Sequence, residues 1–551
     1  MKRFFGASMT TAQVVMIMAV LTLGSKLLGF IREMFQAAYY GTTYVTDTLD
    51  IATAIPGMIF AGVLGATATS YIPLFSKKKE EEGEGAANLF TSQTINILLI
   101  FSVASSLVGI LFSSQLVTLF TMPESWPPGN PGLFGGIGWF LTHGWTGERA
   151  SLASFYVNIT FSYCLFTSVA GISEAWLRFK NVFISPIIAG YAISLMAVIF
   201  IIISHRIENP YILVIGTLAG TAIRSVVICI IAGRKGYPYR PDFHMSRTVR
   251  QIFALALPVF LGSTASQINI FVNKALASGL QTGSIAALNY ASLLIGLLTG
   301  VSSFVISTAL YPKMAEAYAQ KDEPRFTEIF TTGLNTIIII GAPFTLGALL
   351  YSRPLIQIIY ERGVFHTGST VLTSTALFYY GFGLIFAMLQ TFLIQAYYSR
   401  HDTKTPLITS ALMVAINVAS NLLLVRSLAH GGLALGWSIA TFASSVMLLA
   451  VIRKRTPAIL NKALVIKGLL ISLAAAVSVG ASYPFYIFVG DIFATLGWNM
   501  PRTLLLFLTV MVAAAIYIIL LRLLKTEELI HFRRIFKFPA KPEKEGPPGQ
   551  E

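Results

Sequence analysis

The segment TLLLFLTVMVAAAIYIILL, residues 503–521, decides the fold class of this chain because it carries no charged side chain over its whole length. An α-helix rises about 1.5 Å per residue, so about 20 apolar residues cross a hydrocarbon core of about 30 Å. Apolar runs of this kind recur from residue 11 to residue 524. The chain is therefore expected to be an all-α membrane protein that crosses the bilayer many times.

The composition favours a membrane protein over a soluble one. Of the 551 residues, 55% are hydrophobic and 11% are charged, whereas soluble domains carry about 25% charged residues. The formal net charge of +15 would suggest nucleic acid binding in a soluble chain, but here the basic residues stand in short segments between apolar runs. Nucleic acid is not an expected partner. Two cysteines, Cys164 and Cys229, are too few for a disulfide framework or a metal site built from cysteines.

Hydropathy, together with proline, glycine and charge punctuation, predicts about fourteen transmembrane helices. They are expected at residues 11–36, 47–75, 88–120, 151–177, 183–204, 210–232, 250–277, 283–311, 326–350, 370–397, 406–426, 432–452, 464–489 and 501–523. An even number places both termini on one side, and the segments of that side hold about five times as many Lys and Arg residues as the opposite segments. Both termini are therefore predicted to be cytoplasmic.

The helices are predicted to form two pseudo-symmetric lobes followed by two further helices. A weak internal repeat supports this division, because Arg32 and Pro73 in the first pair of helices match Lys274 and Pro312 in the seventh and eighth. A loop rich in Gly, Pro and Trp at 122–150 is expected on the external side, resting in the membrane interface. The predicted domains are an N-lobe at 1–235 (helices 1–6), a C-lobe at 236–455 (helices 7–12), extra helices 13 and 14 at 456–525 and a cytoplasmic tail at 526–551.

Ionisable residues inside the apolar runs are the candidate functional residues, because each costs about 2.5–3.5 kcal/mol at the bilayer centre and usually faces a cavity or a partner. Arg32 and Lys274 look unpaired in the sequence, and they come from the two halves of the repeat. They predict a cavity of positive potential and an anionic substrate. A guanidinium binds two oxygens at once, which suits phosphate or pyrophosphate. The candidates are Lys26, Arg32 and Glu33 in the first helix, Asp47 and Asp50 in the second, Arg224 in the sixth and Lys274 in the seventh.

Purely structural roles remain open for these residues. An ion pair of Arg32 with Glu33 or Asp47 would hold two helices together without binding a substrate. Lys26 and Lys274 stand near helix ends, from which a long side chain can extend to the membrane interface. The competing hypothesis for Arg32 is that Asp47 sets its position for a ligand.

The remaining charges and the motif content narrow the function. Arg224 has no companion charge in its own helix, so a structural hydrogen-bonding role is favoured. Asp50 is expected near the outer mouth of the predicted cavity, where water would solvate it. No Walker lysine loop, HExxH helix, GxSxG elbow or CxxC pair occurs, so neither an enzyme activity nor a cofactor is predicted. Transport is expected to be driven by an ion gradient, by the membrane potential or by the concentration difference of the substrate.

Several segments together resemble the MurJ/MviN family of lipid II flippases. The segment SKLLGFIREMFQAAYYGTTYVTDTLDIATAIP (25–56) resembles the opening of that family, with its basic residue, LGF, Arg-acidic pair and later aspartate. Further similar segments are GATATSYIPLFS (65–76), KALASGLQTGSIAALNYA (274–291), IIYERGVFHTGST (358–370) and AYYSRHDTKTPL (396–407). They span most of the chain in order, and they are more specific than hydropathy.

The resemblance implies a fourteen-helix member of the multidrug/oligosaccharidyl-lipid/polysaccharide flippase superfamily. Such a protein moves the undecaprenyl-pyrophosphate peptidoglycan precursor, lipid II, from the inner to the outer leaflet of the bacterial cytoplasmic membrane by alternating access. The resemblance also implies that Lys26, Arg32, Glu33 and Asp47 are the residues essential for flipping. Lys26 stands where an arginine is more usual, and Glu33 where an aspartate is.

Other positions depart from the family pattern. The eighth helix reads Ala291-Ser292-Leu293 in place of an arginine-containing motif, and the seventh reads Asn273-Lys274 in place of Asp-Arg. Lys274 is expected to supply the second cation for the substrate. The alternatives are a flippase for another polyprenyl-linked glycan, a drug or cation antiporter, and a non-transporting cell-envelope scaffold. The expected partners are the pyrophosphate and sugar of the lipid-linked precursor, membrane lipids and the cell-wall synthesis machinery.

Overall fold

The computed structural model describes residues 11–122, 144–456, 462–495 and 502–524. Within these ranges the regular structure is helical and no β-strand occurs, which confirms the all-α prediction. Part of the predicted external loop, residues 123–143, and the predicted tail lie outside the described residues.

The first half of the described chain contains eight α-helices. A 3₁₀ turn at Pro210–Ile212 precedes α6, and a π turn at Ile306–Leu310 follows α8. The helices are α1 (Thr11–Tyr40), α2 (Tyr44–Leu111), α3 (Ser113–Phe120), α4 (Gly147–Phe179), α5 (Ile184–Arg206), α6 (Leu213–Arg234), α7 (Arg247–Ser278) and α8 (Ser284–Val305).

The second half adds seven helices to the described part. Two of them, α9 and α11, are short helices that the hydropathy pattern does not predict. The helices are α9 (Tyr311–Ala319), α10 (Glu323–Leu350), α11 (Ser352–Tyr360), α12 (Thr367–Ser399), α13 (Lys404–Arg455), α14 (Lys462–Thr495) and α15 (Arg502–Leu523).

The predicted helices coincide with helical segments, but two pairs of them are joined. Helix α2 continues through the predicted loop after residue 75 and changes direction at Gly83, whose φ of 85° is accessible to glycine without steric cost. Helix α13 breaks in the same way at Ala429, where φ is 48°. Nine stretches of the described residues are long and apolar enough to cross a membrane. The total of fourteen transmembrane helices stays a prediction.

The chain divides into two compact units, and each has its own core. The first unit comprises Met1–Leu293, Ile359–Ala376 and Val414–Gly436. At one end of its helices an aromatic core holds α2 against α4, with the Tyr71 ring stacked on Phe90 at 5.7 Å and the buried Trp176 donating to Asn88 at 2.9 Å. The predicted lobes are a different division, and they stay predictions.

The second unit comprises Leu294–Ile358, Leu377–Met413 and Trp437–Glu551. Its described core brings the two last helices, α14 and α15, onto α10. The Tyr517 hydroxyl donates to the Ile339 carbonyl at 3.0 Å, and the hydroxyls of Tyr351 and Ser482 lie 2.7 Å apart. These helices are therefore integral to the fold of this unit.

Candidate functional site

Asp47 stands in the first turn of α2 and is 1% exposed. Its Oδ2 accepts a hydrogen bond from the Gly283 N–H at 2.7 Å, and its Oδ1 accepts one from the Ala286 N–H at 2.9 Å. These N–H groups belong to the beginning of α8, where a helix has free donors and a partial positive charge. The Asp47 carboxylate thus caps α8 from a different helix.

Arg149 completes the surroundings of Asp47. Its Nη2 lies 3.2 Å from Asp47 Oδ2, and its guanidinium lies 3.6 Å from the centre of the Trp145 ring. The same tryptophan donates from Nε1 to the Ser278 carbonyl at 3.1 Å, and the Met122 N–H donates to the Ser278 hydroxyl at 2.7 Å. The described ends of the predicted external loop are therefore fastened to the end of α7.

Lys274 and Asp50 form a second polar contact close by. The Lys274 ammonium donates to the Asp50 carbonyl at 2.8 Å and lies 3.9 Å from its Oδ1. Asn289 donates to the same Oδ1 at 3.2 Å. Asp50 is 8% exposed, and its Oδ2 has no hydrogen-bond partner among the described residues. The contact joins α2 to α7 and α8.

Arg32 pairs with its neighbour in α1. Its Nη2 donates to Glu33 Oε1 at 2.6 Å, and the side chains are 31% and 9% exposed. A guanidinium has five N–H donors, so this pairing leaves Arg32 donors for a ligand. Lys26 is exposed on the same helix. About 600° of helical rotation separates it from Arg32, so the two side chains project from different sides.

Aromatic side chains surround the Glu33 side of the cluster. The Tyr290 ring lies 5.1 Å from Tyr360, and Tyr360 packs against Phe365 at 5.7 Å and Phe30 at 6.2 Å. Glu33 lies within electrostatic range of both tyrosines. This apolar wall strengthens the electrostatic interactions next to it, because it excludes water.

Four of the five predicted site residues belong to one cluster. Asp50 lies within electrostatic range of Arg32, Glu33, Asp47 and Lys274. Lys26 is not part of this set. The cluster contains both negatively charged carboxylates and positively charged Arg and Lys side chains. In the described ranges, no group of three His, Cys, Asp or Glu side chains could hold a metal ion.

Two sequence-based expectations about charge pairing are wrong. Arg32 and Lys274 looked unpaired in the sequence, but Lys274 binds Asp50, and Arg32 forms the pair with Glu33 that had been left open as the alternative. Asp47 was expected to position Arg32, but it binds Arg149 and the start of α8. The physical reason is the cost of burying an unpaired charge. Arg32 avoids this cost through its neighbour in the same helix, whereas Asp47 and Lys274 find partners on other helices.

Arg224 also has a charge partner in the structure. It was expected to have no companion charge in its own helix and to have a structural hydrogen-bonding role, and its Nη2 lies 2.5 Å from Glu174 Oε2 in α4. Arg178, one turn further along α4, pairs with the other oxygen of Glu174 at 2.7 Å. Sequence inspection missed this pair because the two partners belong to different helices.

Two residues of the cluster were also missed or misjudged. Asp50 was expected to be solvated near the outer mouth, but it is buried and paired. Arg149 lies in the segment 122–150 that was predicted to be an external loop, and it is 9% exposed. The adjoining Trp145 was the available signal, since an arginine four residues after a tryptophan at a helix start can stack on its ring.

Many apolar helices with a cluster of buried charges define the class of this protein as a polytopic membrane transporter. The family model described as "Lipid II flippase MurJ" matches residues 36–493. The chain belongs to the MurJ family of lipid II flippases. Asp47 and Lys274 fall within the matched residues, whereas Lys26, Arg32 and Glu33 precede them.

Individual proteins named as MurJ are also similar to this chain. The chain is 27% identical over 434 residues to a "Probable lipid II flippase MurJ" of Rickettsia prowazekii (strain Madrid E). The match covers 77% of this chain and 80% of that protein. A solved structure of "Lipid II flippase MurJ, inward closed conformation" superimposes with a TM-score of 0.75 at 23% identity, covering 94% of this chain and 99% of the other.

A more distant solved structure shares the fold. An inward-facing multidrug resistance MATE family transporter of the MOP superfamily superimposes with a TM-score of 0.61 at 13% identity. The match covers 80% of this chain and 98% of that protein. At this identity the similarity establishes the fold alone.

Proposed function

We propose that this protein moves lipid II, the undecaprenyl-pyrophosphate peptidoglycan precursor, from the inner to the outer leaflet by alternating access. Membership of the lipid II flippase family supports the substrate. The observation that carries the mechanism is the set of polar contacts through which α2 of the predicted N-lobe holds α7 and α8 of the predicted C-lobe.

These contacts are suited to opening and closing. Asp47 binds the Gly283 and Ala286 N–H groups, and Asp50 binds Lys274. When such contacts separate, water can replace each partner, so the net free energy of one hydrogen bond is only about 0.5–1.5 kcal/mol. A few such hydrogen bonds together can hold the closed state of the transporter firmly and still separate when it opens.

Further polar contacts at the neighbouring helix ends follow the same pattern. The Val364 N–H donates to the Ala38 carbonyl at 2.8 Å, and the Thr42 hydroxyl donates to Ser369 at 2.8 Å. Both connect α1 or the α1–α2 turn to the segment around residue 365. On the predicted topology these helix ends face outward, so the contacts would close the outer side.

Arg32 is proposed as the main ligand of the substrate pyrophosphate, with Lys274 as the second cation. A pyrophosphate carries at least two negative charges, and a single buried cation would leave part of that charge uncompensated. Lys274 becomes available when its contact with Asp50 opens. Lys26 would attract the headgroup from the exposed side of α1, and Glu33 and Asp47 would hold the cations and helix ends in place.

The proposal includes the cellular setting. The protein acts in the bacterial cytoplasmic membrane with both termini in the cytoplasm, without a catalytic step and without a cofactor. An ion gradient, the membrane potential or the concentration difference of the substrate supplies the driving force. The polyprenyl tail stays in the lipid, and the cell-wall synthesis machinery consumes the flipped precursor.

The decisive experiment reconstitutes the full chain in vesicles that carry fluorescent lipid II in both leaflets. An impermeant quencher then reports the rate at which the inner pool reaches the outside. We expect the wild-type protein to accelerate lipid II and Arg32→Ala to leave the spontaneous rate. Acceleration of a different polyprenyl-linked glycan with no effect on lipid II would favour the alternative flippase. No acceleration of any lipid-linked glycan would favour a scaffold.

A further inference from the structure

The segment between α6 and α7, residues 235–246, joins the two predicted lobes and is called the linker. It is held along the second half of α2 by side-chain contacts. The Tyr237 and Ser92 hydroxyls lie 2.9 Å apart, and the Arg240 N–H donates to Ser92 at 3.2 Å. The Tyr237 ring also packs against Trp176 at 5.2 Å. The linker is therefore a fixed part of the first unit.

Two amides of α2 depend on the linker for their hydrogen bonds. Gln93 donates to Asp242 Oδ2 at 2.7 Å, and Asn96 donates to the Asp242 carbonyl at 2.8 Å and accepts from the Tyr239 hydroxyl at 2.6 Å. Gln93 and Asn96 are 5% and 0% exposed. Release of the linker would remove these hydrogen bonds, each of which contributes a net free energy of about 0.5–1.5 kcal/mol.

The linker and the helix turns beside it expose basic side chains. None of these makes an ion pair within the described part of the chain, whereas the acid of the linker, Asp242, is already bound. Hydrogen bonds from Gln93 and from the His244 N–H hold the pKa of Asp242 below its usual value, so it stays charged while the cations outnumber it. The exposed basic residues are Arg234, Lys235, Arg240, Arg247 and Arg250.

Large apolar and aromatic side chains are exposed between these cations. Tyr239 is 51% exposed, Phe243 57% and Met245 44%. In water such exposure is unfavourable, but aromatic residues interleaved with Lys and Arg are typical of segments that rest at the level of the lipid headgroups. The fixed backbone presents these side chains together without a further ordering cost.

A cleft beside the linker adds room for a headgroup. It has a volume of about 400 Å³ and lies between α2 and the first turn of α7, next to Ser246 and Arg247. Lys77 and Lys78 also line it, and they pair with Glu81 and Glu82, which line it too. Arg247 is thus the lining cation that no acid of the described chain neutralises.

We propose that the linker and the first turn of α7 form a docking surface for anionic phospholipids of the leaflet on the predicted cytoplasmic side. The cations would bind the phosphate groups while Tyr239, Phe243 and Met245 enter the headgroup layer. Because the linker is fastened to α2, this surface would anchor the first unit at a set depth. The proposal depends on the predicted topology for the choice of leaflet, and it does not depend on lipid II being the substrate.

The test compares lipid selectivity of the full chain reconstituted in bilayers. Spin-labelled phosphatidylglycerol and phosphatidylcholine report the immobilised fraction of each lipid at the protein surface. The linker variant carries Arg234→Gln, Lys235→Gln, Arg240→Gln, Arg247→Gln and Arg250→Gln. The matched control loses the same charge on the same predicted side, through Lys313→Gln, Lys321→Gln, Lys404→Gln, Arg453→Gln and Lys454→Gln.

We expect the preference for phosphatidylglycerol to fall at least about threefold in the linker variant, because each surface cation attracts anionic lipid. The control variant should keep most of the preference. An equal loss in both variants would mean that only the total positive charge matters, and an unchanged linker variant would mean that the surface binds no anionic lipid. Either result overturns the proposal.

A local probe separates binding from misfolding. Phe243→Cys, in a chain with Cys164→Ala and Cys229→Ala, is labelled with an environment-sensitive fluorophore. Its emission should shift to the blue when about a third of the lipid is phosphatidylglycerol, and about 1 M salt should reverse the shift by screening. A probe that responds equally in pure phosphatidylcholine contradicts the role of anionic lipid.

Discussion

Asp47→Ala tests most directly whether the contacts of α2 with α8 hold the transporter in its closed state. It removes the acceptor of the Gly283 and Ala286 N–H groups and the ion-pair partner of Arg149. Loss of one partner of a buried pair costs about 3–5 kcal/mol, and an unsatisfied buried N–H costs about 1–3 kcal/mol. These costs are not additive, and water reaches the freed groups at a helix end. We therefore expect a net loss of about 3 kcal/mol for the closed arrangement.

Such a loss changes the closed-to-open equilibrium by a little over about a hundredfold, since about 1.4 kcal/mol corresponds to a factor of ten. Ala287→Cys is a suitable reporter, because Ala287 is 0% exposed at the start of α8. Cys164 and Cys229 are replaced first, since Cys229 is exposed. The rate of labelling by an impermeant thiol reagent in intact cells should rise about a hundredfold in Asp47→Ala.

A neighbouring residue provides the matched control. Thr48 is also 0% exposed, but its hydroxyl donates only within α2, to the Tyr44 carbonyl at 2.6 Å. Thr48→Ala should leave the labelling rate of Ala287→Cys near that of the parent. Asp47→Asn should give an intermediate rate, because an amide oxygen can accept one N–H but cannot pair with Arg149. If Asp47→Ala reaches the membrane normally and labels at the parent rate, the cap does not hold the closed state.

Three further predictions concern single charges. Arg32→Ala should fail to complement a flippase-depleted strain although the protein reaches the membrane, and Arg32→Lys should remain poor because bidentate binding is lost; full activity of the alanine variant would remove Arg32 from the mechanism. Lys274→Met should abolish lipid II flipping in vesicles while Lys274→Arg retains it, and a normal rate for the methionine variant would refute the second cation. Glu174→Gln should leave Arg224 without its charge partner and lower the free energy of unfolding by on the order of 2 kcal/mol, as measured by thermal unfolding in detergent; an unchanged Tm would show that the pair is not stabilising.

The positions of the helices could be read from the sequence because hydropathy is a local property. Any apolar run of about 20 residues must satisfy its backbone hydrogen bonds internally in lipid, and a helix does so without help from other segments. The helical segments and the family membership follow from such local information. The breaks at Gly83 and Ala429 did not, since α2 and α13 stay helical on both sides of a single residue with positive φ.

The existence of buried charges was also readable from the sequence, because each one interrupts an apolar run. The residues Arg32, Glu33, Asp47 and Lys274 could be chosen in this way, and the structure brings them to one cluster around Asp50. Whether they bind the substrate remains a prediction.

Only the tertiary structure decided which charge pairs with which. Asp47 binds Arg149 and the start of α8, Lys274 binds Asp50, and Arg224 binds Glu174. The partners are far apart in sequence, and an ion pair forms only when two side chains come within about 4 Å. That distance depends on how helices pack side by side, whereas hydropathy reports only how each helix meets the lipid. The sequence by itself therefore determined that charges are buried, and helix packing determined how each is neutralised.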